Sequence, residues 1–159
     1  MKYLIIGAGG TGGVVGFHMA QAGKDVTLIA RNAHLECIQQ KGLTLQTMWD
    51  ENTKTIPVKA SDMQHYKDRP DVILVCVKGY SLDGIYKFIR RIAKPQTIVI
   101  PILNIYGTGA KMQEKLLGML VTDGCIYVSA NIKEPGVILQ HGKILRIFFG
   151  CLLYTSPSP

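Results

Sequence analysis

The stretch from Lys2 to Gly13 constrains the fold more than any other part of the chain. A short apolar run, Tyr3-Leu4-Ile5-Ile6, breaks into Gly7-Ala8-Gly9-Gly10-Thr11-Gly12 and then resumes with helical periodicity. This pattern predicts strand, tight turn and helix. Gly7, Gly9 and Gly12 fall on the G-x-G-x-x-G spacing: the first glycine permits the turn, the second lets a pyrophosphate approach the backbone, and the third lets helix pack on strand. A second strand at Asp25 to Ala30 closes a βαβ unit of the usual ~30 residues. The implied ligand is a dinucleotide, its pyrophosphate facing the free N–H groups and positive dipole end of the first helix.

Polar residues then recur at the ends of apolar strands. The second strand ends at Arg31, where an NAD site carries an Asp or Glu for the ribose hydroxyls. A guanidinium there suits a 2′-phosphate and can also stack on adenine, so the reading favours NADP over NAD. Asp71 to Val77 reads as a buried parallel strand running into Lys78-Gly79-Tyr80. Ligands bind beyond the carboxyl ends of such strands, which aims Lys78 at the cofactor site, either to hold an acidic substrate or to stabilise negative charge developing on a carbonyl oxygen. Thr97 to Pro101 repeats the pattern and leads to Asn104. This neutral donor and acceptor can hold the nicotinamide or a substrate oxygen; asparagine is also a common turn residue.

Between these pieces the pattern predicts helices at Ala33 to Gln40, Ser81 to Ala93 and Gly107 to Leu120. The first helix carries an apolar face of Val14, Val15, Phe17, His18, Met19 and Ala22 and stops at Gly23. A hairpin-like insert follows the second helix, with Pro57 assigning it to the margin of the sheet. Val121 to Ile132 is strand-rich, and two short alternating runs surround His141-Gly142. His18 and His141 read as packing or surface residues, and Asp62, His65 and Asp68 as solvated loop residues. The expected architecture is a doubly wound, mostly parallel α/β sheet with helices on both faces.

A chain of 159 residues suits one domain. No apolar run reaches the ~18 residues of a membrane span, and Met1-Lys2 leads straight into a strand, so no membrane association and a cytoplasmic address are expected. Cys37, Cys76, Cys125 and Cys151 are scattered without a C-x-x-C pair, and read as small apolar fillers rather than metal or disulfide sites. The net charge of +7 is dispersed over the chain with no aromatic stacking platform. It fits a solvated basic surface or a phosphate-rich small ligand, not a nucleic-acid partner.

Taken together, Gly7-Ala8-Gly9-Gly10-Thr11-Gly12, Arg31, Val77-Lys78-Gly79-Tyr80, Leu103-Asn104-Ile105-Tyr106-Gly107 and Glu134-Pro135-Gly136-Val137-Ile138-Leu139-Gln140-His141-Gly142 resemble the ketopantoate reductase (2-dehydropantoate 2-reductase) family. The resemblance implies a Rossmann-type NADP-binding domain over residues 1–150 and NADPH-dependent reduction of 2-dehydropantoate to pantoate, on the way to pantothenate and coenzyme A. By position, the residues of the turn would cradle pyrophosphate, Arg31 would bind the 2′-phosphate, and Lys78 and Asn104 would face nicotinamide and substrate. No metal is implied. Gly79 and Ile105 depart from the family, which more often has a small or polar residue and a glycine there.

In the family a helical C-terminal domain supplies the general-acid lysine and a substrate-gripping carboxylate, and the resemblance stops before it. Residues 151–159 read instead as a Ser/Pro tail foreign to the domain. The expected fragment binds NADPH, turns over poorly, and leaves an apolar patch around its last strands. Two alternatives share this half: a nucleotide-sensing regulatory module, and a related dehydrogenase acting on another 2-keto acid or a sugar phosphate.

Overall fold

A computed structural model describes residues 1–105 and 107–151. Tyr106, part of one motif above, and Leu152 to Pro159 of the Ser/Pro tail lie outside the described residues. In chain order the elements are β1 (Lys2–Ile6), α1 (Gly10–Gln21), β2 (Asp25–Ile29), α2 (Asn32–Lys41), β3 (Leu43–Thr47), β4 (Thr53–Ile56), β5 (Lys59–Ser61) and β6 (Val72–Val75). Two single 3-10 turns, Gly79–Ser81 and Asp83–Ile85, precede α3 (Tyr86–Ile92). Then come β7 (Ile98–Pro101), α4 (Thr108–Lys115), β8 (Leu120–Tyr127), β9 (Ala130–Glu134), β10 (Val137–Gln140) and β11 (Arg146–Cys151).

Seven strands form one sheet in the order β11-β8-β7-β6-β1-β2-β5. Every pair is parallel except β11 with β8. The strands alternate between two cores. Leu4, Ile6, Ile73, Val75 and Val99 pack with Phe88, Ile89, Ile92, Met112 and Leu116 of the α3 and α4 side. Ile5, Leu28, Leu74 and Ile100 point the other way, toward Val14, Val15, Phe17 and Ile38 of α1 and α2. Burial on both faces explains why the central strands are continuously apolar rather than alternating. The doubly wound, mostly parallel sheet with helices on both faces is therefore the fold.

A second sheet, absent from the sequence reading, holds four strands in the order β4-β3-β10-β9. The 43–58 insert does not extend the margin of the main sheet. It supplies β3 and β4 here, with β4 as an edge, and Pro57 falls between β4 and β5 where no ladder N–H is needed. β10 pairs parallel with β3 and antiparallel with β9, so Pro135-Gly136 is a hairpin turn and His141 follows the end of β10.

Helix α1 is consequently sandwiched between two sheets. Gly12 through Phe17 are all buried, while His18 and Ala22 are exposed, contrary to the one-sided apolar face expected. A Cβ on Gly16 would lie 2.4 Å from Leu28 of the main sheet, and one on Gly13 would lie 2.6 Å from Ile138 of the second. Closely spaced glycines thus let both sheets approach the helix axis.

Two helices are shorter than the sequence pattern suggested. Residues 79–85 form 3-10 turns before α3, with Gly84 unable to favour a regular helix, and α4 ends at Lys115, ahead of Gly118 in a left-handed conformation (φ +80°). At its start, Asp123 Oδ1 of β8 accepts the Gly109 N–H at 2.8 Å, satisfying one of the donors that a helix N-terminus leaves free. Exposed apolar side chains gather near the last strands: Tyr127 (61% exposed) meets Phe148 edge to face, with Phe149 and Ile144 beside them in sequence, also exposed. No described helix is long and apolar enough to cross a membrane.

Candidate functional site

Strand order reverses between β6 and β1, which makes the carboxyl ends of these two strands the topological switch point of the sheet. The glycine turn leaves β1 there. Gly7 has φ +101°, and a Cβ on it would meet Cys76 O at 3.0 Å and Val77 Cγ1 at 3.1 Å. This contact binds the glycine turn to the segment leading to Lys78. Neighbouring ends are held in step by backbone bonds: Gly7 and Ala8 N–H donate to Ile29 O, Cys76 N–H to Ile6 O and Ile102 N–H to Val75 O. Beneath the turn, burial pushes the Cys76 thiol up to about 12, so this cysteine is an un-ionised filler.

The residues of the turn divide by what they touch. The Ala8 side chain is buried, and both its backbone groups are bonded within the protein, N–H to Ile29 O and carbonyl from His34 Nε2. A Cβ on Gly10 would sit 2.1 Å from Ala130 O, and one on Gly12 2.0 Å from Gly7 O. Gly9 is different: among the described residues nothing lies within 4 Å of its Cβ position. It is also the N-cap of α1, with no side chain capping the helix. The turn therefore presents an open cradle, backed by first-turn N–H groups that have no intrahelical acceptor. That donor set fits a pyrophosphate in kind, with the uncrowded Gly9 and the Thr11 hydroxyl in the same turn. The described residues hold no cluster able to bind a metal.

Arg31, between the end of β2 and α2, is exposed and in no described ion pair. Lys78 is exposed at the start of the first 3-10 turn, its carbonyl accepting the Ser81 N–H at 2.8 Å. Asn104 lies one strand further along, beyond β7. Its Oδ1 accepts a long 3.4 Å bond from Ile126 N–H, which orients the amide and leaves the NH2 group available.

The loops after β6 and β7 touch through the two residues that set this sequence apart from its resemblance: a Cβ on Gly79 would lie 2.8 Å from Ile105 Cδ1. The isoleucine thus occupies space that the glycine vacates. Gly79→Ala is expected to lower stability by up to about 1 kcal/mol through this overlap. The loss should vanish in an Ile105→Ala background, read as a double-mutant cycle of thermal unfolding.

His34 was missed by the sequence reading. Half-buried on α2, it bonds Ala8 O through Nε2 at 2.8 Å and accepts the Gly136 N–H on Nδ1 at 2.9 Å. Its partners are 26 and 102 positions away, and only its place in the first turn of a helix following the second strand marked it out. His18 is exposed near the end of α1, His65 pairs with Asp62 in a local turn, and His141 bonds Asn131 at the end of the second sheet. Asp68 pairs with Lys2 at the surface.

Comparison with known proteins adds an independent observation. A family model described as ketopantoate reductase PanE/ApbA matches residues 3–153. The chain is 34% identical over 149 residues to a 2-dehydropantoate 2-reductase of Pyrococcus horikoshii, covering 90% of this chain and 45% of that protein. It is 36% identical over 150 residues to that of Pyrococcus abyssi, covering 92% and 47%. Among solved structures, a PanE/ApbA family ketopantoate reductase from Ralstonia eutropha JMP134 superposes with a TM-score of 0.83 at 29% identity, covering 92% of this chain and 49% of that one. The chain spans about half the length of the curated relatives it matches.

Proposed function

The chain belongs to the ketopantoate reductase PanE/ApbA family, and on that premise we propose that it is the NADPH-binding half of an oxidoreductase that reduces 2-dehydropantoate to pantoate. What supports this reading is that the glycine cradle, Lys78 and Asn104 each follow the carboxyl end of one of the three adjacent strands β1, β6 and β7, beside the point where strand order reverses. Bound NADPH supplies the hydride for the C2 ketone.

Everything else assigned to this half is binding and orientation. The Gly9 to Gly12 amides hold the pyrophosphate at the N-terminus of α1, and the Arg31 guanidinium grips the 2′-phosphate with paired charge-assisted bonds. Lys78 places a positive charge beside the nicotinamide end, where it attracts the substrate carboxylate and stabilises oxygen as it becomes negative. The Asn104 amide donates to the nicotinamide or substrate without the desolvation cost of an ion. The proton that completes the alcohol is assigned to the half of the relatives' length that this chain does not span.

Fluorescence titration with NADPH and NADH tests the cofactor assignment. The chain is expected to prefer NADPH, and Arg31→Ala to weaken NADPH binding by roughly 10- to 100-fold, the worth of hydrogen bonds to a charged group. NADH binding should be nearly unchanged by the same substitution. Equal affinity for the two cofactors in the unaltered chain would overturn the role of Arg31.

A further inference from the structure

His34 joins three segments distant in sequence. The Gly136 amide can only donate, so Nδ1 of the ring is the acceptor and carries no proton; the proton is on Nε2, which donates to Ala8 O. Both bonds require the neutral ring in this one tautomer. Ala8 C=O and Gly9 N–H belong to the same peptide group, which is trans and planar, so the two point in opposite directions. A carbonyl held by His34 on one side therefore fixes the direction of the Gly9 N–H on the other. Gly9 is the turn residue with no atom of the described residues within 4 Å of its Cβ position.

Resting on the reading that this turn holds a pyrophosphate, we propose that His34 is a positioning residue for the cofactor site. As a neutral imidazole it ties the Ala8 carbonyl to the Pro135-Gly136 turn of the second sheet, and so aims the Gly9 N–H at the ligand. Protonating Nδ1 turns the Gly136 acceptor into a donor facing a donor, and the tie to the second sheet is lost. The ionisable side chains on the packed elements are Arg31, Glu36, Cys37 and Lys41 around α2, Lys59 on β5, which pairs with Asp25, and Lys133 and Glu134 on the β9–β10 hairpin. None of them bonds to the ring among the described residues. The glycine turn carries no ionisable group.

Burial holds the His34 pKa below its ordinary value, opposed by the bond to Ala8. The neutral form is thus favoured in the folded protein. Its contribution to stability is complete above the ordinary histidine pKa of ~6.5 and is lost as pH falls from there through the lowered folded value. The tie to Gly136 within the folded protein breaks only as that lowered value is passed.

Isothermal titration with ADP-ribose tests the proposal. This probe carries the pyrophosphate but no 2′-phosphate, whose own titration near pH ~6 would overlap that of histidine. As pH falls from about 8 through the lowered His34 value, the unaltered chain should lose affinity, by roughly 3- to 10-fold once the ring is protonated, the scale of one hydrogen bond. His34→Gln, whose amide can donate to Ala8 O and does not titrate, should bind within about 3-fold of the unaltered chain at pH 8 and show no pH slope. His34→Ala should be weakened about 10-fold at pH 8, also without slope. Unaltered affinity in His34→Ala, or a pH slope that persists in His34→Gln, overturns the positioning role while leaving the cofactor reading intact. Failure of the unaltered chain to bind ADP-ribose or NADP at either pH overturns both.

Discussion

Gly12→Ala is expected to lower the melting temperature by roughly 6–12 °C and to abolish cofactor binding with it. A Cβ at this position would lie 2.0 Å from Gly7 O, 3.0 Å from Ile5 Cγ2 and 3.1 Å from Cys76 Cβ. The nearest of these is backbone and cannot swing aside as a flexible side chain would. Relief would require α1 to retreat from β1, but α1 is pinned on its other face by the second sheet, where Gly10 and Gly13 admit Ala130 and Ile138 just as closely. Overpacking that cannot relax costs about 3 kcal/mol, and a domain of this size loses roughly 2–4 °C per kcal/mol. Thermal unfolding followed by circular dichroism reads the loss directly. An unchanged transition would mean that α1 does not sit against β1 as described.

The same helix shows what could and could not be read from the sequence. The strand, turn and helix at the N-terminus were legible because each rests on a local signal: apolar run, glycine spacing, helical periodicity. The strands at β6 and β7 were legible because burial on both faces leaves a continuous apolar run, and Lys78 and Asn104 followed from standing where those runs end. The second sheet was not legible. β3 pairs with β10, Thr44 opposite Val137, and short alternating strands carry no mark of which sheet they join. The one-sided view of α1 failed for the same reason, since its second buried face exists only because that sheet covers it. His34 is the clearest case: nothing local to Ala33 to Gln40 reveals that its ring reaches both Ala8 and Gly136. Where a residue acts by bridging distant segments, its role belongs to the tertiary structure.

Gly9→Ala separates folding from binding at the same turn. Gly9 has φ −72°, a conformation open to alanine, and no atom of the described residues lies within 4 Å of the added Cβ. The protein itself therefore gives no steric reason for glycine at this position. The expected stability loss is at most about 1 kcal/mol, the preference of a helix N-cap for glycine over alanine. Binding of NADPH, in contrast, should fall by roughly 100-fold or more. The methyl group would stand between the pyrophosphate and the first-turn amides, and two or more hydrogen bonds to a charged group are worth about 1.5–3 kcal/mol each. Thermal unfolding and NADPH titration on the same preparation give both numbers. A folded Gly9→Ala chain that still bound NADPH with unaltered affinity would show that the pyrophosphate does not approach here, and the open cradle would lose its ligand. Preserved folding with lost binding would instead identify Gly9 as a glycine required by the cofactor, beside a Gly12 required by the fold.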